Sequence, residues 1–291
     1  MLFLKKFTLP SEDTEEDVII YERRTCFNNF YPFRIFPKRK IDSINFEPVT
    51  ILYGGNGSGK STLLNAIAEK LNAERKQKFS KGEFFDKFVS MCDIKEAREI
   101  PNEIKIVTSD DVFDYLFDIR SINNRVNNKR DDLFDEYLHY KFDNNYNMSD
   151  YDSLKKTVES RKKTMSSYVR SKLANNNIIE QSNGESALMY FEKEIDENAI
   201  YILDEPENSL SAASQIKLIK FIEDTARFYN CQFIISTHSP FILSLKDALI
   251  INLDDGANKS VKWSELENVK IYYDFFKENE DSFRESNQAK D

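Results

Sequence analysis

Short apolar runs alternate with amphipathic stretches through the last third of the chain. The runs at 199–203, 232–236 and 248–253 have the length and composition of buried strands. Between the first two, residues 211–227 repeat apolar positions at the spacing of a helix. Strands that alternate with helices form a mostly parallel sheet with helices on both faces. We therefore predict an α/β fold with a mostly parallel central sheet.

The N-terminal region has a different pattern. Apolar or alternating runs at 2–9 and 18–22 predict short strands, which we expect to pair in antiparallel fashion. A compact, largely β-branched run at 49–53 predicts a buried strand that ends at glycines. From Ser61 onward the apolar residues recur at helical spacing, which predicts a helix directly after those glycines.

The middle of the chain predicts a helical insertion. A short strand at 104–108 is followed by a helical region over 110–173, which we expect the asparagine pairs at 123–124 and 127–128 to interrupt. A second amphipathic helix is expected over 151–173. These changes of pattern divide the chain into four parts: the first part of a core (1–109), the helical insertion (110–180), the second part of the core (181–277) and a flexible tail (278–291).

Composition narrows the functional classes. The chain has 291 residues and a formal net charge of −9, so it lacks a protein-wide basic footprint for nucleic acid. Three widely spaced cysteines and two histidines argue against a disulfide framework and against a zinc site. We expect a cytoplasmic protein, since no apolar stretch is long enough to span a membrane and the first residues do not resemble a secretory signal.

The seven glycines are unevenly distributed, since four of them lie within residues 54–59. Residues 54–61 match the pattern GxxxxGK[ST] without a mismatch, and in this pattern backbone N–H groups and a helix N-terminus surround a phosphate. Lys60 is expected to reach the β- and γ-phosphates, and Ser61 to place its hydroxyl on Mg²⁺. The predicted nucleotide-binding residues are Gly54, Gly55, Asn56, Gly57, Ser58, Gly59, Lys60, Ser61 and Thr62.

Two later strands end in polar residues that suit nucleotide hydrolysis. The apolar run at 200–203 leads into Asp204 and Glu205. At the carboxyl end of a parallel sheet, Asp204 is expected to hold Mg²⁺ through a water molecule, and Glu205 to orient or deprotonate the attacking water. His238 follows the next strand and can donate to the γ-phosphate or to that water. The alternative for His238 is a structural role as a cap or core residue.

The order of these motifs resembles the ATP-binding-cassette (ABC) class of P-loop ATPases. Residues 181–186 are similar to the LSGGE or LSGGQ signature of that class, with Ser182, Gly184 and Glu185 matching and Asn183 in place of a glycine. The resemblance implies a P-loop NTPase of the ABC-ATPase type that binds and hydrolyses ATP with Mg²⁺. Glu205 and His238 would then be catalytic. The alternative for the signature is that Ser182 simply caps a helix.

The resemblance covers the phosphate loop and residues 181–240, in which His238 matches the H-loop of the class. No glutamine lies between Gln77 and Gln181, so the Q-loop glutamine has no match and the turn at 108–111 is the candidate replacement. In transporters of the class, the Q-loop couples the ATPase to the membrane domain. Its absence therefore argues against the nucleotide-binding subunit of a transporter.

Finer similarities concern branches of the class. The phosphate loop and the signature with its glutamate resemble the SMC and RecF-like ATPases. Residues 204–208 (Asp-Glu-Pro-Glu-Asn) and 236–240 (Ser-Thr-His-Ser-Pro) resemble the small stand-alone AAA-family ATPases of the AAA-21 and OLD-like group. Many of these are encoded beside nucleases in bacterial phage-defence systems. By association, this implies antiviral defence or DNA repair, with a nuclease or another effector as partner.

The resemblance also implies how two copies would cooperate. In the class, the signature of one subunit, here Ser182 to Glu185, grips the γ-phosphate of ATP bound to the other, so a head-to-tail homodimer is expected, alone or within a larger assembly. An ATP-closed sensor or scaffold with negligible turnover is the alternative. The segment 151–175 carries seven Lys or Arg residues against two acidic ones. Residues 155–172 could therefore meet nucleic-acid phosphates, form a solvated helix face or contact an acidic partner.

Overall fold

The computed structural model describes residues 1–22, 27, 29–142, 151–173, 183–256 and 260–282. Within these residues the elements follow in the order β1 (Leu4–Thr8), α1 (Glu12–Tyr21), β2 (Ser43–Asn45), β3 (Val49–Tyr53), α2 (Lys60–Lys70), α3 (Phe85–Met91), β4 (Asp93–Glu96), β5 (Glu103–Thr108), α4 (Ser109–Phe142), α5 (Tyr151–Lys162), α6 (Met165–Lys172), α7 (Asn183–Glu194), β6 (Ala199–Asp204), α8 (Ala212–Phe228), β7 (Gln232–Ser236), β8 (Leu249–Asn252) and α9 (Glu267–Glu278).

The chain divides into two compact units. The first consists of Met1–Phe113 and Asn183–Asp291, and the second of Asp114–Ser182. Both sheets and all the residues that surround the phosphate loop belong to the first unit. The second unit is helical over its described residues.

A five-stranded parallel sheet forms the centre of the first unit, with strand order β5-β6-β7-β3-β8. Every residue of β3 and β7 is buried, which agrees with their continuous apolar sequences. The predicted α/β fold with a mostly parallel sheet is therefore confirmed. Because the strands are parallel, their carboxyl ends and the residues that follow them meet at one edge.

A smaller antiparallel sheet, with strand order β2-β1-β4, confirms the expected N-terminal antiparallel strands. The buried side chain of Gln232 in β7 links this sheet to the parallel one. Its Oε1 accepts hydrogen bonds from Phe3 N (2.9 Å) and Leu4 N (2.8 Å), and its Nε2 donates to Leu4 O (2.8 Å). Each such buried bond contributes about 1 kcal/mol net, and losing the side chain would leave backbone groups unpaired.

The prediction of a strand at 18–22 is wrong, because most of this stretch belongs to helix α1. Ser11 caps that helix, since its side chain accepts a hydrogen bond from Thr14 N. Acidic residues then fill the first turn, where they complement the positive end of the helix dipole. The capping signal outweighs the short apolar run.

The asparagine pairs at 123–124 and 127–128 do not interrupt helix α4, as had been expected. The helix runs from Ser109 to Phe142, and Asn123 is buried within it. Asparagine costs a helix interior only about 0.7 kcal/mol relative to alanine, less than the burial of a few apolar side chains contributes. The asparagines at 144–147 lie outside the described residues.

The helix expected over 151–173 is two helices, α5 and α6. Thr164 starts the second helix, because its side chain accepts a hydrogen bond from Ser167 N at 3.3 Å. A threonine that caps a helix has an extended backbone conformation and therefore ends the preceding helix.

Glu136 of α4 organises the described part of the second unit. Its carboxylate accepts from Tyr168 Oη (2.5 Å), Lys172 Nζ (2.6 Å) and Lys156 Nζ (3.3 Å). Burial opposes the charge of Glu136, but these three donors outweigh it and lower the pKa of the carboxyl to about 2. Two of the seven basic residues in this region therefore pair within the unit.

Among the described residues, no helix is both long enough and apolar enough to cross a lipid bilayer.

Candidate functional site

The candidate site lies at the carboxyl edge of the parallel sheet. The phosphate loop follows β3, Glu205 follows β6, His238 follows β7 and Asp254 follows β8. In the strand order, β3 lies between β7 and β8, so the phosphate loop has His238 on one side and Asp254 on the other. Ligands of open α/β sheets bind at this edge.

The phosphate loop turns sharply into helix α2. Gly59, which precedes the helix, has a φ of +93°, a conformation that side chains rarely allow. A Cβ at this position would also lie 3.0 Å from Ile35 Cγ2 and 3.2 Å from Phe36 Cε1. Ser58 Oγ is buried and has no hydrogen-bond partner among the described residues. A buried hydroxyl without a partner in a phosphate loop fits the binding of an anion there.

Lys60 bends back over its own loop. Its Nζ donates to Gly54 O (2.9 Å) and Gly55 O (3.3 Å) and lies 2.7 Å from His238 Nε2. Burial lowers the pKa of Lys60, while Glu205 and Asp204 act to raise it. All three contacts are with neutral groups, so a phosphate would be a stronger partner for this ammonium than any of them.

Two oxygen atoms that could bind a metal ion, Ser61 Oγ and Asp204 Oδ1, lie close together at the end of the phosphate loop. Ser61 Oγ donates to Asp204 Oδ1 (3.3 Å), and Ser236 Oγ donates to the same oxygen. Burial raises the pKa of Asp204, and the two hydroxyl donors partly offset that effect. A hydroxyl and a carboxylate are ligands that Mg²⁺ prefers, and it usually completes its shell with water and phosphate oxygens. This donor set therefore fits the predicted Mg²⁺.

Metal binding by side chains alone finds no support in the described part of the chain. No group of three or more His, Cys, Asp or Glu side chains there could hold an ion. A cation at Ser61 and Asp204 would therefore depend on the nucleotide for part of its coordination.

Glu205 is held in an unusual backbone conformation. Its φ of 49° and ψ of 56° are left-handed, which costs a residue other than glycine about 1–3 kcal/mol. Its N–H lies 3.1 Å from Ser236 O and 3.2 Å from Ser236 Oγ, and Asn208 Nδ2 donates to its Oε2 at 3.0 Å. These contacts orient the carboxylate toward the space beside the phosphate loop, 3.8 Å from His238 Nε2.

His238 lies between the predicted base and the loop lysine. Burial is the largest effect on this residue, and together with Lys60 it lowers the pKa of the imidazole. The Nε2 atom of His238 lies 2.7 Å from Lys60 Nζ, and its ring packs in a T-shaped arrangement with Tyr53, with 6.3 Å between ring centres. The catalytic role of His238, to which a structural role as a cap or core residue is the alternative, stays a prediction.

Glu207 is a site residue that sequence reasoning did not identify. Its Oε1 accepts from His238 N (2.7 Å) and Ser239 N (3.2 Å), so it fixes the loop that carries the histidine. Burial raises the pKa of Glu207, and the hydrogen bond from the backbone N–H of His238 opposes that rise. The available signal was its place in Asp-Glu-Pro-Glu-Asn, two residues beyond Glu205.

Arg39 and Asp254 are two further residues of the candidate site that the sequence analysis did not identify. Asp254 Oδ2 accepts from Gly55 N (2.6 Å), and its Oδ1 pairs with Arg39 Nη1 (2.6 Å). Arg39 Nη2 also donates to Gly57 O at 3.1 Å. The pair thus holds the phosphate loop at two points. Asp254 comes close to the phosphate loop because strand β8 lies beside β3, and only the strand order shows this proximity.

The signature residues are only partly within the described chain. Gln181 and Ser182 lie outside it, and Asn183 and Gly184 begin helix α7. Glu185 lies in the first turn of that helix. The sharing of ATP between two copies, which needs Ser182 and Gly184, stays a prediction.

The turn proposed to replace the Q-loop is held by Asp111. Its Oδ2 accepts from Thr108 N (2.8 Å) and Thr108 Oγ1 (2.9 Å) at the start of helix α4. Its Oδ1 is buried and has no hydrogen-bond partner within the described residues. Asp111 therefore ends β5 with a tight turn, and the assignment of this turn to the Q-loop position stays a prediction.

Two family models match the chain. A model described as ABC transporter matches residues 43–208, which is more than half of the chain, and a model described as AAA ATPase domain matches residues 180–243. No curated protein matches in sequence.

Comparison with solved structures gives several matches. The dimeric ATP-binding cassette MJ0796 bound to ADP and Pi is 16% identical, with a TM-score of 0.35, and the match covers 77% of this chain and 90% of that one. A nucleotide-free ATP-binding cassette from an ABC transporter is 15% identical (TM-score 0.39; 93% and 94% covered). The Smc head domain from Pyrococcus furiosus is 13% identical (TM-score 0.43; 94% and 100% covered).

Replacing Arg39 with glutamine should weaken ATP binding. The change removes the bond to Gly57 O and leaves the charge of Asp254 uncompensated beside the phosphate loop, and both effects disfavour an anion. A bond from a charged donor contributes about 1.5–3 kcal/mol, so we expect the Kd for ATP to rise by about tenfold or more in an equilibrium binding assay.

Lys38→Gln is the matched control, because it removes the same charge from an exposed side chain in the same turn. Equal Kd values for the two variants would contradict a specific role for the pair of Arg39 and Asp254.

Proposed function

The chain belongs to the ABC transporter family, and we propose that it is an ABC-type ATPase in which two copies enclose ATP head to tail and use its hydrolysis as a conformational switch. One observation carries this proposal. Lys60 Nζ lies 2.7 Å from His238 Nε2, which in turn lies 3.8 Å from Glu205 Oε1. A loop lysine, a histidine and a carboxylate therefore converge where the γ-phosphate of ATP would lie.

Binding begins with the phosphate loop. Its N–H groups and the start of helix α2 face the phosphates, and Lys60 exchanges the carbonyls of Gly54 and Gly55 for phosphate oxygens. Ser58 Oγ, which is buried without a partner among the described residues, also gains an acceptor. Ser61 and Asp204 would hold Mg²⁺, whose charge would neutralise phosphate oxygens and lower the barrier to attack of water on the γ-phosphorus with ADP as the leaving group.

Glu205 is the proposed acceptor of a proton from the attacking water. Asn208 holds one oxygen of its carboxylate, so the other is directed toward His238 and the phosphate loop. His238 contacts the γ-phosphate or the water, and Glu207 keeps its backbone in position. A general base of this kind contributes about 10²–10⁴-fold to the rate.

One copy supplies only one side of the triphosphate. The phosphate loop, Asp204 and Glu205 lie at the sheet edge, and we propose that the signature from Ser182 to Glu185 of a second copy closes the other side. ATP then links the two copies through its γ-phosphate, and hydrolysis removes that link and releases them. An ATP-closed sensor with negligible turnover would use the same contacts without Glu205 acting as base. The nucleotide-binding subunit of a transporter is a less suitable assignment, because the turn at Asp111 has no glutamine to act as the Q-loop residue.

The output of the switch is proposed to be an effector such as a nuclease, or nucleic acid, in antiviral defence or DNA repair. The described residues contain no metal-binding cluster of their own, so cutting groups would belong to another chain. In the basic segment, Lys156 and Lys172 pair with Glu136, whereas Lys155, Lys162 and Arg170 are exposed. These exposed cations could contact a phosphate backbone.

Replacing Glu205 with glutamine should abolish turnover and preserve ATP binding. Since hydrolysis releases the two copies, the variant should form a dimer that persists with ATP and Mg²⁺. We expect the steady-state rate to fall by at least about 10²-fold and the mass, measured by light scattering, to double. Glu197→Gln, an exposed glutamate before β6, is the matched control. A Glu205→Gln variant that stays monomeric with ATP would contradict the shared site.

If residues 155–172 contact nucleic acid, replacing Lys155, Lys162 and Arg170 with glutamine should weaken binding to duplex DNA. Each lost phosphate contact should reduce the slope of log affinity against log salt by about 0.9. The exposed residues Lys217 and Lys220 of α8 supply a control with two charges removed. An unchanged salt slope in the triple variant would exclude this segment as the contact.

A further inference from the structure

An aromatic cleft of about 590 Å³ lies beside the candidate site, between the loops after β6 and β7 and helix α9. Four aromatic side chains line it on the side of α9. They are exposed to solvent by 45% (Trp263), 45% (Tyr272), 64% (Tyr273) and 52% (Phe276). Large aromatic side chains are enriched in protein interfaces, and an exposed group of them marks a surface that another molecule covers.

The aromatic cleft is continuous with the nucleotide edge. Glu207, Asn208 and His238, which belong to the candidate site, also line the cleft. Helix α9 is tied to the same loop, because Asn268 Nδ2 donates to His238 O at 2.6 Å. Asn268 N also donates to Tyr53 Oη at 3.3 Å. A molecule that approaches the nucleotide edge therefore meets the cleft.

The charge of the chain favours an apolar contact between copies. Each copy carries a net charge of −9, so two copies repel each other at long range. Among the described residues that line the aromatic cleft, Glu207 is the single carboxylate, and its Oε1 accepts from two backbone N–H groups. The cleft is therefore a surface on which two acidic copies can meet with little repulsion.

We propose that a second copy of the chain covers the aromatic cleft when ATP brings two copies together. The inference rests on the proposed ATP-dependent dimer, whose site is incomplete without the second copy. It does not follow from the family match, since α9 and Trp263 lie beyond residues 43–208 and 180–243. Closure would bury Trp263 and Tyr273, and Asn268 would connect that contact with the loop of His238.

Trp263 allows a direct test, because it is the single tryptophan of the chain. In the Glu205→Gln variant with ATP and Mg²⁺, we expect its fluorescence to shift to shorter wavelength and its quenching by acrylamide to fall severalfold. Both changes should follow the doubling of mass as protein concentration rises. A dimer that leaves the quenching of Trp263 unchanged overturns the inference and leaves the ATP-dependent dimer intact. Absence of any dimer contradicts both.

A charged substitution tests the contact itself. In the same background, Tyr273→Glu should weaken dimer formation by about tenfold or more and leave the affinity of the monomer for ATP unchanged. The matched control is Phe228→Glu at the end of α8, where the ring is 68% exposed and does not belong to the lining of the cleft. Equal dimer affinities for the two variants would overturn the proposal.

The chain's own C-terminal segment is the other possible occupant. If removal of residues 283–291 increases the quenching of Trp263 without ATP, that segment covers the aromatic cleft and the proposal is wrong. If quenching falls only after a different protein is added, the surface serves an effector and the proposal is equally wrong.

Discussion

A single buried ammonium group determines how this site works. Lys60 is covered by its own loop and by His238, and burial lowers its pKa although Asp204 and Glu205 lie close enough to favour its charge. Its hydrogen bonds go to neutral groups, which compensate a buried charge poorly. We propose that a triphosphate supplies an anionic partner for this ammonium group, and that the surrounding loops respond to its binding and hydrolysis.

Hydrogen bonds tie the loops around this ammonium group to their neighbours. Glu207 holds the backbone of His238, and Asn268 holds the carbonyl of the same residue from helix α9. On the other side, Asp254 joins Gly55 to Arg39. A change at the γ-phosphate can therefore reach α9 through one residue, His238. In the proposed dimer, this connection would relate nucleotide binding to the docking of a second copy on the aromatic cleft.

Sequence alone identified those parts of the site that depend on local chemistry. The glycines at 54–59 and the lysine after them are recognisable because only glycine permits that turn, and the strand ending in Asp204 and Glu205 is recognisable from its apolar run. Arg39 and Asp254 could not be found in this way, since they meet only after β8 pairs with β3. Helix α1 was missed because the cap at Ser11 outweighs a short apolar run.

The most direct test separates ATP binding from the joining of two copies. In the Glu205→Gln background, Ser182→Arg places a bulky cation in the signature and leaves the phosphate loop intact, with Ser166→Arg in helix α6 as the control. ATP affinity and molecular mass are measured on the same samples. The account predicts that the Ser182 variant binds ATP with nearly unchanged affinity and stays monomeric, whereas the control forms the dimer. A Ser182 variant that dimerises like the control would contradict the claim that two copies share one triphosphate.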